Sequence, residues 1–372
     1  MTLTPVAELT PMDTAGRLGR LRDRLGDAGV DGLVVTSLTN IRYLSGFTGS
    51  AGMLLVLPGA TVLVTDGRYG TQAPEQIAAA GVDARCEVAP APDQRAVAAG
   101  LVGSTAARLG LEAAHVSWAR QRAFAETWWP DVELVATVGV VEELRKVKDP
   151  GELARLAGAA AIADRALAAV RPMLAEGPRE IDFAHALDAE MRRLGAAGPS
   201  FETIVASGPN GAMPHHRPGA RRIERGEPVV IDFGALLDGY CSDMTRTVWD
   251  GPLADPVLRR AVEVVAESQA AGVAAVSAGV AAADVDRACR EVIAAAGWAD
   301  AFVHGTGHGV GLDIHEAPSV AASSGDTLAP GHVVTVEPGV YLPGIGGVRI
   351  EDTVVVTDEG CTPLTSTAKD LP

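Results

Sequence analysis

Asp232 and Asp243 flank an Asp238-Gly239 pair in the segment VVIDFGALLDGYCSDMTRT. Asp-Gly between apolar runs favours a two-residue hairpin loop. That register sets Leu237 opposite Tyr240, and therefore Asp232 opposite Thr245 and Asp243 opposite Gly234. The two carboxylates become diagonal neighbours on one sheet face, with Cβ atoms roughly 7 Å apart. Carboxylates held so close repel one another unless a cation lies between them. Taken alone, the pair fits a solvated hairpin face as well.

A second pair narrows the choice. Glu337 and Glu351 stand symmetrically about Gly344, so a hairpin centred on the Pro343–Gly347 loop places them directly opposite each other. Their flanks, VVTV before and TVVV after, are apolar, and buried like charges that face each other are costly without a partner. Arg349 shares the face of Glu351 and offsets part of the charge. A plain salt bridge from Arg349 to one glutamate would leave the other unpaired.

His215, His216, His304, His308, His315 and His332 all lie in the second half of the chain. In HGTGHGVGLDIHE, His304 and His308 have the spacing of a helical zinc-binding pair, but Gly305, Gly307, Gly309 and Gly311 argue strongly against a helix. The segment reads as an extended strand whose glycines let a ligand approach closely. Its strictly alternating glycines are not a dinucleotide fingerprint. His185, within a helical pattern, and His332, at a strand start, read as structural.

Four carboxylates and one imidazole form a hard donor set, suited to Mn²⁺, Co²⁺, Fe²⁺ or Mg²⁺ rather than to a thiolate-bound zinc. Two divalent ions balance four carboxylates, whereas one leaves the site negative. Two ions about 3.5–4 Å apart can share a hydroxide and bring its pKa towards roughly 7. The chemistry implied is hydrolysis of a polarised carbonyl or phosphoryl group.

These residues need strands to hold them. Up to about Lys148 the chain alternates helical and strand patterns, with strands over 31–37, 51–57, 60–66, 108–113 and 133–138 and helices over 14–28, 69–80 and 116–128. RKVKDPGE (145–152) is a charged linker in which Pro150 is placed to start a helix. Beyond it come helices over 151–172, 179–195, 255–277 and 281–297, with strands over 201–208, 227–236, 240–249, 332–343 and 347–358. Two domains follow, 1–146 and 147–372.

The 372 residues carry a net charge of −16, and nearly all the acidic excess falls after Lys148. Such a surface repels phosphate backbones, which excludes broad nucleic-acid binding. With 47% hydrophobic and 21% charged residues the chain can bury a full core. The uncharged stretch from Tyr43 to Thr65 is broken by glycines and the Pro58-Gly59 pair, so it reads as a strand pair rather than a membrane span. No secretory signal is visible at the N-terminus. Cys86, Cys241, Cys289 and Cys361 are scattered without a disulfide framework, so a cytoplasmic location is expected.

Asp232, Asp243, His308, Glu337 and Glu351, set in IDFGALLDGYCSDMTRT, HGTGHGVGLDIHE, VEPGVYLPG and VRIEDT, resemble the aminopeptidase P/prolidase family of pita-bread metallopeptidases. FETIVASGPNGAMPHH is similar to that family's segment ahead of the metal site. NIRYLSGFTGS (40–50) and TDGRYGTQA (65–73) resemble its creatinase-type N-terminal domain. The resemblance implies an α+β protein, with a smaller N-terminal α/β domain ahead of a pita-bread catalytic domain. It implies two divalent metal ions, Mn²⁺ first, with Co²⁺ or Zn²⁺ as alternatives. Asp232, Asp243, His308, Glu337 and Glu351 would hold them, with Glu337 taking the proton of the attacking water. His315 and His215 would contact the scissile carbonyl and its oxyanion, and His304 would line the proline side. Arg349 and Tyr341 would hold the carboxylates from behind. The substrate implied is a proline-containing peptide cut at its Xaa–Pro bond by a hydroxide shared between the metals, and the assembly implied is a homodimer.

One departure bears on substrate length. Some prolidases carry an arginine four residues after the third histidine, where it can pair with a dipeptide's carboxylate. Here that position is Ser319, and no Arg or Lys occurs between His315 and Glu337. The expectation is an Xaa–Pro aminopeptidase. The alternatives are an Xaa–Pro dipeptidase, a non-catalytic pita-bread binding module and a metal-free creatinase-like hydrolase.

Overall fold

A computed structural model describes residues 3–103 and 105–372. The chain forms two units: Met12–Arg145, and Lys146–Pro372 together with the leading segment that ends at Pro11. The sheet of the first unit is built from short, mostly apolar runs. These are β1 (Gly32–Val35), β2 (Met53–Leu57), β3 (Ala60–Thr65), β4 (Arg85–Val88), β5 (Arg108–Glu112) and β6 (Glu133–Thr137), in the order β4-β3-β2-β1-β5-β6. β1, β2 and β3 pair antiparallel and the remaining neighbours parallel. Leu57 pairs with Ala60 across Pro58-Gly59, so residues 53–65 of the uncharged stretch are two buried strands and a turn, while its first three residues end the helix Leu38–Ser45.

The helices α1 (Arg17–Leu25), α2 (Leu38–Ser45), α3 (Gln72–Ala79), α4 (Ala91–Val102) and α5 (Trp118–Ala123) belong to this unit. Hydrophobic periodicity does not mark α2, β4 or α4. The short α2 is defined by its ends: the Ser37 side chain accepts from the Asn40 amide, and Gly46 closes the helix at φ 75°. β4 (RCEV) is largely solvent-accessible and gains its strand from pairing with β3.

After α6 (Glu142–Lys146), α7 (Pro150–Val170) begins with a capping box. Asp149 accepts from the Glu152 amide, Glu152 reaches back to the Asp149 amide, and Pro150 occupies the first turn. α8 (Glu180–Arg193), α9 (Pro256–Ala275) and α10 (Ala282–Ala295) follow. The strands of this unit start with β7 (Gly198–Pro199), β8 (Ile204–Ser207), β9 (Val229–Phe233), β10 (Ala235–Leu237), β11 (Tyr240–Cys241) and β12 (Met244–Val248). They continue with β13 (Gly307–Gly309), β14 (Glu316–Val320), β15 (Val333–Val336), β16 (Gly339–Leu342), β17 (Gly346–Arg349), β18 (Asp352–Thr357) and β19 (Gly360–Pro363).

Two cores hold these strands. Ala163, Leu167, Phe183, Leu187 and Met191 of α7 and α8 pack with Val205, Ile231, Phe233 and Met244. Val262, Val265, Val285 and Ile293 of α9 and α10 pack with Val334, Val336, Val348 and Val354. Burying each such side chain contributes about 1.5–3 kcal/mol. The helices therefore cover the apolar faces and leave the polar faces to one cavity. Among the described residues no helix is long and apolar enough to cross a membrane.

Candidate metal centre

The first ribbon carries the two aspartates. Asp238 and Gly239 both take left-handed conformations, φ 45° and 76°, as a two-residue hairpin loop requires. Leu237 pairs with Tyr240 and Asp232 with Thr245, the register that the sequence predicts. The second ribbon carries the glutamates. Val336 pairs with Asp352 and Gly339 with Arg349, the same register on either side of a break in the ladder, which sets Glu337 across from Glu351.

His308 sits between Gly307 and Gly309 on the three-residue strand β13. These glycines have a different purpose from the one the sequence suggests. A Cβ on Gly307 would lie 2.0 Å from the Thr335 carbonyl oxygen, and one on Gly309 would lie 2.4 Å from that of Ala317. They admit neighbouring backbone, not a ligand, so that β13 can run between β14 and β15. Gly311 likewise makes room for the Glu316 carboxylate, which is buried against Lys148 at 2.6 Å.

Asp232, Asp243 and Glu351 each place a carboxylate oxygen within 4.8 Å of the others. His308 Nε2 lies 3.5 Å from Asp243 and 3.4 Å from Glu337. Arg349 Nη2 donates to Asp232 at 2.6 Å and Nη1 to the Tyr341 hydroxyl at 2.8 Å. Burial, then repulsion by neighbouring carboxylates, pushes Asp243 and Glu351 well above the usual carboxylate range. Burial pushes Glu337 up to about 8, although Arg349 opposes the shift. Burial lowers His308 to about 4, leaving it neutral and able to offer a lone pair.

Asp232 Oδ1 and Glu351 Oε1 are buried and find no hydrogen-bond partner among the described residues. Arg349 is a single positive charge facing four carboxylates. Unmatched oxygens on crowded carboxylates beside a neutral imidazole are the donor set that divalent cations require. The residues fit such ions.

Around this centre the cavity measures about 500 Å³ and is lined by His215, His304 and His315 as well as the five candidate ligands and Arg349. The His315 ring lies 4.3 Å from that of His308. His304 contacts the Tyr341 hydroxyl through Nε2 at 2.7 Å, and burial lowers its pKa to about 4. His185 is exposed on α8, and His332 is buried, accepting from the Ala329 amide.

Three contributions escape the sequence reading. The Thr245 hydroxyl donates to Glu351 at 2.7 Å and accepts from Arg349. Thr335 donates to Glu337 and accepts from the His308 amide, and its position two residues before Glu337 on one strand face could have revealed it. Arg217, ion-paired with Glu202, also lines the cavity, although it lies well before the stretch from His315 to Glu337, which holds no Arg or Lys.

The profile of metallopeptidase family M24 matches residues 154–358, the segment that contains the whole centre. The chain belongs to this family. The profile of the creatinase/prolidase N-terminal domain matches residues 17–147. The uncharacterized peptidase YqhT of Bacillus subtilis is 39% identical over 363 residues, 95% of this chain and 99% of that protein. A solved structure titled Xaa-Pro dipeptidase from Bacillus anthracis superposes with a TM-score of 0.91 at 38% identity, covering 95% of this chain and 98% of that one. An X-Pro aminopeptidase from Thermotoga maritima gives 0.85 at 33% identity, covering 94% and 99%. The architecture is thus the expected one, α+β, with a creatinase-type α/β domain ahead of a pita-bread metallopeptidase domain. Membership of the family implies divalent metal ions.

Proposed function

We propose that this M24 metallopeptidase is a dinuclear exopeptidase that cleaves the Xaa–Pro bond at the N-terminus of peptides. The observation that carries the reading is the pair of buried carboxylate oxygens, on Asp232 and Glu351, without a partner among the described residues. Asp232, Asp243, His308, Glu337 and Glu351 would hold two divalent ions, Mn²⁺ or in its place Co²⁺ or Zn²⁺. When bound, the ions supply the Lewis acidity that polarises a peptide carbonyl and acidifies water.

The chain's own groups do the rest. Glu337 takes the proton of the attacking water and passes it to the leaving nitrogen. His315 and His215 stabilise the charge that develops on the carbonyl oxygen. Phe201, Ile204 and Ile314 line the same cavity as His304 and suit a pyrrolidine ring. Proline brings no N–H, so an apolar wall leaves no buried donor unmatched.

A second reading, restriction to dipeptides, has Arg217 in its favour. This guanidinium lines the cavity and could meet a free carboxylate in place of the cation that is missing at Ser319. A length series (Ala-Pro, Ala-Pro-Ala and longer) assayed with Mn²⁺, Co²⁺ and Zn²⁺ separates the two. Turnover of the longer peptides is expected. Activity on Ala-Pro alone, with its KM raised in Arg217→Ala, would establish the dipeptidase reading instead.

A further inference from the structure

His215 and His216 are adjacent, but only His215 lines the cavity. His216 is nearly enclosed, and its Nε2 lies 2.9 Å from Glu180 Oε2. Glu180, at the start of α8, is itself wholly buried. Its carboxylate also accepts from the Ser207 amide at 2.8 Å, the Ser207 hydroxyl at 2.7 Å, the Asn210 side chain at 2.9 Å and the Gly219 amide at 3.3 Å. These donors lie at both ends of the irregular stretch that carries His215. The main chain adds to the grip, because the amides of Glu180 and Ile181 donate to Arg221 and Gly219.

On the other side of His215, the Pro214 carbonyl accepts from Arg349 Nη1 at 3.4 Å. The loop is therefore tied to the carboxylate cluster through Pro214 and to α8 through His216. Pro214 and His215 are the central residues of a turn that the His216 amide closes on the Met213 carbonyl at 3.1 Å. Fixing His216 against a buried carboxylate consequently fixes the turn that presents His215 to the cavity. The hydrogen bonds from Ser207, Asn210 and His216 outweigh burial and keep Glu180 below the usual glutamate range. A charged carboxylate holds such donors more firmly than a neutral acid would.

We propose that Glu180 and His216 form a positioning pair that fixes the orientation of His215 in the active site. The proposal rests on the Xaa–Pro peptidase reading, in which His215 contacts the reacting carbonyl. An imidazole displaced by about 1 Å can lower turnover by on the order of 10²-fold.

The test is a double-mutant cycle on the metal-loaded full chain, with an Xaa–Pro peptide as substrate. His216→Ala should lower kcat roughly 10- to 10²-fold with KM nearly unchanged and the bound metal undiminished. His216→Gln, which keeps a donor for Glu180, should recover most of that loss. In a His215→Ala background, His216→Ala should lower kcat by less than about twofold, because the two residues act as one unit. Equal loss in both backgrounds, tracking a fall in melting temperature, would show a purely structural role and overturn the proposal. If the alanine variant does not fold, His216→Phe fills the space without donating and takes its place in the cycle. A wild-type chain inactive on every Xaa–Pro peptide with every metal overturns the reading of the site, and the proposal with it. An active wild type with multiplicative losses overturns the positioning role alone.

Discussion

In the first unit Glu112 is buried, yet it accepts from the Ser37 amide at 2.8 Å, the Asn40 side chain at 2.7 Å, and the amide and hydroxyl of Thr36. In the second unit Glu351 is 1% exposed, and it and Asp232 each retain a buried oxygen without a donor. Both environments are apolar strand ends. They differ in the supply of donors: Glu112 meets the first turn of α2, whereas the site carboxylates meet one another. A buried carboxylate whose oxygens are all matched is part of the fold. One left unmatched among like charges is held there for something that arrives later.

Substitutions can break or sharpen this contrast. The largest effect should come from Asp243→Ala, which removes a carboxylate from the cluster: peptidase turnover should vanish and metal analysis should show lost ions. Normal turnover in that variant would place Asp243 with Glu112 instead. His315→Ala should lower kcat on the order of 10²- to 10³-fold while metal analysis shows the ions retained.

Amide replacements should then separate the two kinds of carboxylate in chelator-treated protein. Glu112→Gln turns one acceptor into a donor facing donors and should destabilise the chain by about 1–3 kcal/mol in denaturant titration. Glu351→Gln removes a repelled charge and should raise the melting temperature at pH 8, even as it abolishes activity.

The subtlest effect to read out is a slope. Burial raises Glu337 to about 8 from an ordinary 4.5, so the folded chain holds a proton that the unfolded chain has released. The stability this confers is complete below about pH 4.5 and is lost as the pH rises through about 8. Thermal unfolding without metal should therefore weaken from pH 5 to pH 8. Glu337→Gln should flatten that decline, and a slope unchanged by the substitution would remove Glu337 as its source.

Much of this centre is legible before any coordinates. Asp238-Gly239 sets the first ribbon's register and the spacing about Gly344 sets the second, because side chains alternate faces and turns fix the pairing. Pro150 and the Asp149–Glu152 box mark the start of α7 in the same local way. The glycines around His308 are legible as a need for space but not as to what fills it. Neighbouring strands do, and they come from distant sequence. α2 and α4 escape because caps and contacts, rather than an apolar stripe, define them.

Local chemistry by itself determined which carboxylates share a face, since turn geometry and the two-residue strand repeat act over a few bonds. Only the tertiary structure decided that both faces and His308 meet in one cavity, that Arg217 reaches it, and that Glu180 grips the loop beside His215. Those encounters join segments far apart in the chain. They depend on how the two helix-covered cores pack, which no short window of sequence encodes.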